Sequence, residues 1–120
     1  MKPSSTNPVT RLFNATLFSF QGLRAAFRHE QAFRLEVYIF LALIPLALYL
    51  GDSAFEQAVM VASWLLVMVI ELINSAIEAV VDRFGGEQHE LSGRAKDIGS
   101  AAVMIAVILS IVIWLGALIP

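Results

Sequence analysis

The sequence predicts an all-α integral membrane protein: an N-terminal interfacial amphipathic helix followed by three transmembrane helices, in a single membrane-embedded domain. Three observations carry that class. Hydrophobic residues make up 58% of the chain and charged residues 15%, where a typical soluble domain has about 25% charged. Uncharged runs reach the length a helix needs to cross a hydrocarbon core of ~30 Å. Every basic residue falls on one side of a three-span layout. Mean hydropathy of +0.76 and low charge exclude a disordered chain. With no cysteine, a disulfide scaffold, a thiolate metal site and a cysteine nucleophile are excluded as well.

Residues 1–8, MKPSSTNP, read as a flexible tail. No apolar stretch follows Lys2, and no small-residue cleavage site is evident, so this start is not read as a signal peptide. Over residues 9–31 the period is helical. Val9, Leu12, Phe13, Leu17, Phe20, Leu23 and Phe27 fall within a sector of about 140°. Arg11, Asn14, Gln21 and Arg28 lie outside it, Arg24 sits at its edge, and Phe18 is an exception on the polar side. That is the pattern of a helix lying in the membrane interface, although a helix packed on a partner would share it. The first span is expected over 33–51, with Pro45 inside it; membrane helices tolerate such a proline. Gly51-Asp52-Ser53 forms a turn, and the second span covers 55–82, interrupted only by Glu56, Glu71, Glu78 and Asp82 among charged groups. Gly85-Gly86 reads as its stop, residues 83–96 as a cytoplasmic loop with a short surface helix, and 97–119 as the third span.

The loops test the span count. Lys2, Arg11, Arg24, Arg28 and Arg34 precede or open the first span, and Arg83, Arg94 and Lys96 lie between the second and third. Three spans put all 8 on one side. The positive-inside rule makes that side cytoplasmic and leaves the C-terminus opposite. Two or four spans would destroy the asymmetry.

The chemistry concentrates in the second span. Glu71, Asn74, Ser75, Glu78 and Asp82 stand at i, i+3, i+4, i+7 and i+11, one face of a helix. The two glutamates are about 10.5 Å apart along the axis. A carboxylate inside a membrane is costly, so it marks function by default. Carboxylates at the membrane edge suit Mg²⁺, which binds one or two of them plus phosphate oxygens. A deeper one could act as general base toward a lipid alcohol. Together these would make a phosphoryl-transfer site, with no P-loop and no protein-kinase motif in the chain. The same stripe equally allows a proton or cation pathway, or helix assembly. Glu30, between Arg28 and Arg34, is a further candidate carboxylate or a surface ion pair; His89 reads as a surface residue. Ala102, Ala106 and Ser110, like Ala58 and Ala62, make small-residue steps that let helices approach closely. Three spans are too few to enclose the polar stripe on all sides, so a homo-oligomer is expected and a lone subunit should expose Glu71 to lipid.

Three segments resemble the prokaryotic diacylglycerol kinase family. They are Gly22 to Phe27 with Glu30, Ala32, Phe33 and Arg34; the block ELINSAIEAVVD from Glu71 to Asp82; and HELSGRAKDIGSAA from His89 to Ala102. The resemblance runs from Arg11 across essentially the rest of the chain. It implies a homotrimeric helical bundle in the bacterial cytoplasmic (inner) membrane, which transfers the γ-phosphate of ATP, with Mg²⁺, to diacylglycerol and forms phosphatidic acid. It makes Glu71 the general base, with Asn74 beside it, and gives Glu30 and Glu78 to the metal and, through it, to ATP. Arg11, Glu87, His89, Lys96 and Asp97 match nucleotide-contacting positions. Arg24, Ala25, Ala26, Phe27, Arg34 and Ser100, with Glu71 itself, match positions near the lipid substrate. Phe20 and Phe27 replace expected tryptophans, and Thr16 an expected small residue; none removes a catalytic group.

Two other functions compete. The related Gram-positive branch phosphorylates undecaprenol. A small proton-coupled transporter would use the same glutamates, but it needs polar groups across the full membrane thickness, and here they gather at one side. No nucleic-acid partner is expected.

Overall fold

A computed structural model of the chain describes residues 7–84 and 89–120. Glu87, the Gly85-Gly86 stop and residues 1–6 of the tail lie outside the described residues. Four helices follow one another: α1 (Pro8–His29), α2 (Gln31–Leu50), α3 (Ala54–Asp82) and α4 (Glu90–Leu118). The last three are long and apolar enough to cross a membrane.

Local chemistry sets each start. Asn7 Oδ1 accepts from the Val9 N–H at 2.9 Å, and Pro8 fills the first helical position, where its missing N–H costs nothing. Ser53 Oγ accepts from Glu56 N–H at 3.1 Å while Glu56 Oε1 accepts from Asp52 N–H at 3.1 Å, a reciprocal cap on α3. His89 caps α4, its Nδ1 accepting from Leu91 N–H at 3.0 Å. From Glu90 that helix runs unbroken into the apolar segment. α2 continues through Pro45 and ends at Gly51.

The helices pack in a chain, α1 on α2, α2 on α3 and α3 on α4. α3 is the middle element. Its buried residues are Met60, Ser63, Val67, Glu71 and Asn74, a three-and-four spacing along one face. Ala106, Ser110 and Gly99 are buried on α4, and Phe33, Glu36 and Ala47 on α2. Ser63 Oγ donates to the Met60 carbonyl at 2.7 Å, so the Ser110 hydroxyl, 2.8 Å away, donates to Ser63. Both tryptophan indoles cross between helices. Trp64 Nε1 donates to the Glu36 carbonyl at 2.9 Å, and Trp114 Nε1 to the Met60 carbonyl at 3.1 Å.

Within one subunit the small-residue steps divide. Ala106 and Ser110 do sit at a close helix contact, but Ala102, Ala58 and Ala62 face outward. The Met60–Val67 face makes the α3 contact instead. The expectation that a lone subunit exposes Glu71 is corrected: a single subunit buries it, at 7% exposure, because α2 and α4 both pack on α3.

Candidate active site

The face of α3 that carries Glu71 and Asn74 turns inward, and each residue meets one specific neighbour. Glu71 lies against the Glu36 carboxyl group of α2. Its Oε2 also accepts from Ser75 Oγ at 3.4 Å, one turn along α3. Glu36 Oε1 is buried with no hydrogen-bond partner among the described residues. Asn74 is 7% exposed, and its Oδ1 is likewise unpartnered. Against that oxygen stands Gly99 of α4. A β-carbon at Gly99 would collide with Asn74 Oδ1 and come within 3.2 Å of its Cγ. Buried polar atoms normally find partners; the unpartnered oxygens of Glu36 and Asn74 next to Glu71 make this face the candidate site.

Glu30 enters from a different direction. It is the single non-helical residue between α1 and α2, in extended conformation at φ −112° and ψ 106°. Its N–H donates to the Ala26 carbonyl at 2.8 Å, and its carbonyl accepts from Arg34 N–H at 3.1 Å. Arg34 Nη1 donates to the Phe27 and Arg28 carbonyls, each at 2.9 Å, which satisfies carbonyls at the end of α1. Phe27 and Tyr38 meet edge to face with centroids 6.0 Å apart. The α1–α2 corner is thus held on both sides.

The corner and α3 enclose a groove of about 750 Å³. Gly22, Ala25, Ala26, His29 and Glu30 line one wall; Ser75, Glu78, Ala79 and Asp82 line the other. Small residues at Gly22, Ala25 and Ala26 leave the space open. At the rim Lys96 Nζ donates to Asp82 Oδ1 at 3.0 Å, joining the start of α4 to the end of α3. A smaller groove of about 440 Å³ is lined by Arg24, Phe27, Arg28 and Arg34.

The carboxylate residues lining the large groove suit a divalent cation that keeps much of its water. Among the described residues no three histidine, aspartate or glutamate side chains gather into a ready-made cage. Glu30 and Glu78 line one groove, from α1's end and from α3. Such a pair suits Mg²⁺, which keeps waters and takes phosphate oxygens for its remaining ligands.

The residues singled out from sequence therefore divide. Glu30, Glu78, Ala25 and Ala26 share the large groove, and Arg24, Phe27 and Arg34 share the small one. Glu71 and Asn74 are buried beside them. Arg11, His89, Asp97 and Ser100 are exposed and line neither groove; Lys96 touches the site only through Asp82. Sequence reasoning missed Glu36, treating it as the interfacial start of the first span. Its signal was present: a carboxylate between Leu35 and the apolar run from Val37 to Ile44, with no basic residue following it. It also missed Gly99, whose role exists only in the contact with Asn74.

Comparison with known proteins bears on the whole chain. A family model described as prokaryotic diacylglycerol kinase matches residues 17–118. The diacylglycerol kinase of Haemophilus influenzae is 52% identical over 113 residues, 94% of this chain and 96% of that protein. That of Escherichia coli K12 is 49% identical over 111 residues, covering 92% and 91%. That of Pseudomonas aeruginosa is 50% identical over 104 residues, covering 87% and 85%. With the helical architecture, the intramembrane carboxylates and this extent of identity together, the chain belongs to the prokaryotic diacylglycerol kinase family and is a transferase of that kind.

Proposed function

We propose that the protein transfers the γ-phosphate of ATP to the free hydroxyl of diacylglycerol, yielding phosphatidic acid and ADP at the cytoplasmic face of the bacterial inner membrane. The observation that carries this is the burial of Glu71 next to a groove with Glu30 and Glu78 on facing walls. Glu71 accepts the hydroxyl proton as the lipid oxygen attacks phosphorus. The bond from phosphorus to the β-phosphate oxygen breaks, and ADP leaves. Asn74 and Glu36 hold Glu71 in register. Glu30 and Glu78 hold Mg²⁺, which neutralises charge on the phosphates when bound. In phosphoryl transfer, positioning and charge neutralisation supply most of the acceleration, so a small helical site suffices.

Arg11, Glu87, His89, Lys96 and Asp97 serve the nucleotide. His89 keeps Nε2 available while Nδ1 caps α4. Arg24, Ala25, Ala26, Phe27, Arg34 and Ser100 serve the lipid. α1 lies in the membrane interface; the seven apolar residues of its stripe are all exposed in the single chain, as a lipid-facing surface requires. The chain assembles as a homotrimer, as the family resemblance implies, with a neighbouring subunit closing the open side of the groove.

The test is phosphorylation of diacylglycerol and of undecaprenol at matched mole fraction in bilayers, with wild type and Glu71→Gln. Diacylglycerol is the preferred acceptor, and Glu71→Gln loses turnover while keeping its fold and oligomer. Preference for the polyprenol overturns the substrate assignment, and full activity of Glu71→Gln overturns the general base.

A further inference from the structure

The large groove is short of hydrogen-bond donors. Its lining residues with a fixed charge are Glu30, Glu78 and Asp82, all acidic. A divalent cation balances two carboxylates, and Lys96 Nζ, from outside the lining, balances Asp82 at 3.0 Å. That set holds nothing to meet the further negative charge on the terminal phosphoryl group of a triphosphate. The lining hydroxyls are committed as well. Ser19 Oγ donates to the Ala15 carbonyl at 2.8 Å, and Ser75 Oγ to Glu71 Oε2 at 3.4 Å. Among the described residues His29 is the remaining lining side chain with an N–H or O–H to give. It is exposed, and no hydrogen bond or ion pair among the described residues engages its ring. A histidine that closes a helix ordinarily bonds the last free carbonyls. Here those acceptors are taken. The Ala26 carbonyl accepts from Glu30 N–H at 2.8 Å, and the Phe27 and Arg28 carbonyls accept from Arg34 Nη1, each at 2.9 Å. The imidazole is left for the groove. It carries one N–H when neutral and two when charged, so it donates in either state.

We propose that His29 donates an N–H to an oxygen of the γ-phosphoryl group of ATP in the large groove, and so orients that group toward the acceptor hydroxyl. The inference rests on the reading that places the nucleotide's phosphates between Glu30 and Glu78. No proton leaves the imidazole. Glu71 takes the hydroxyl proton, and the ring holds the group that is transferred. ADP lacks that group and does not make the contact.

The test is equilibrium binding of two radiolabelled probes to the full-length protein in detergent micelles: MgADP, and the Mg²⁺ complex of the nonhydrolysable β,γ-methylene analogue of ATP. Neither acceptor lipid nor turnover is needed. His29→Leu weakens binding of the triphosphate about tenfold, the lower end for a hydrogen bond to a charged group, and leaves ADP binding unchanged. His29→Gln and His29→Asn each carry an amide N–H near one of the two ring nitrogens, and the better of the two retains most of the triphosphate affinity. A positive charge at the end of α1 that acts only on the helix dipole predicts the same result for all three substitutions. Equal losses for the two nucleotides overturn the proposal, because the contact is then not to the γ-phosphoryl group. Gln and Asn variants both as weak as His29→Leu overturn it as well, because the N–H is then not what matters. Wild type that binds both probes, with His29→Leu matching it on both, removes the His29 contact and leaves the kinase reading standing. Wild type that binds neither probe removes the kinase reading and the contact with it.

Discussion

Gly99→Ala is the sharpest perturbation the structure offers. A methyl group at this position meets Asn74 Oδ1 well inside contact distance, and Asn74 is buried between α3 and α4. The carboxamide must rotate away or the helices must part. Alanine is the better helix former by about 1 kcal/mol, and overpacking a tight contact costs about 1–3 kcal/mol. Gly116, on the same helix, has no atom within 4 Å of its would-be β-carbon. Gly116→Ala therefore gains the propensity without the collision. Comparing the two cancels the propensity and isolates the packing cost, so Gly99→Ala should lie about 1–3 kcal/mol below Gly116→Ala. Unfolding in mixed detergent–SDS micelles reads this difference. Activity should fall further than stability, because Asn74 stands one turn from Glu71, and a misplacement of about 1 Å at a reacting centre costs on the order of a hundredfold. Adding Asn74→Ala to Gly99→Ala removes the obstruction, which restores stability but not turnover, a coupling that a double-mutant cycle measures. Gly99→Ala that matches Gly116→Ala in stability and keeps full turnover refutes the argument.

Other outcomes follow from the remaining contacts. Glu36→Gln keeps the volume but removes the carboxylate facing Glu71; turnover falls at least about tenfold, or 1.4 kcal/mol of barrier, with the KM for ATP unchanged in steady-state assays. Ser63→Ala leaves the buried Ser110 hydroxyl without its acceptor; stability drops by about 0.6–1.7 kcal/mol, the range of interhelical polar contacts in membranes, while activity per folded protein holds. Asp82→Asn releases Lys96 at the groove rim. Because that pair is exposed, the unfolding midpoint stays put, and the KM for ATP rises roughly threefold or more.

Much of the architecture is legible in the sequence for a physical reason. A bilayer demands long uncharged runs and penalises basic residues on the far side, so hydropathy and charge placement alone predict three spans. The carboxylate stripe of α3 is legible for the same reason: Glu71 and Glu78 are too costly in lipid to be incidental. Contacts between helices are less visible. Glu36 sits at the boundary where a charge also fits an ordinary interfacial start, and only its orientation toward Glu71 distinguishes the two. Burial of Glu71 in one subunit depends on α2 and α4 flanking α3, which periodicity cannot supply. The alanine steps at Ala58 and Ala62 satisfy the pattern for close packing yet face outward, because the pattern records small size and not direction. Lys96 and Asp82 are fourteen residues apart, and their pairing at 3.0 Å is a product of the packing of α4 on α3.

Between His29 and Gln31 there is one residue, and it is Glu30. A hinge this short has no slack. Any change in the angle between α1 and α2 swings the same residue that lines the large groove, with the Arg34 bonds to the Phe27 and Arg28 carbonyls limiting the arc, so the packing of α1 on α2 sets where that wall of the groove stands.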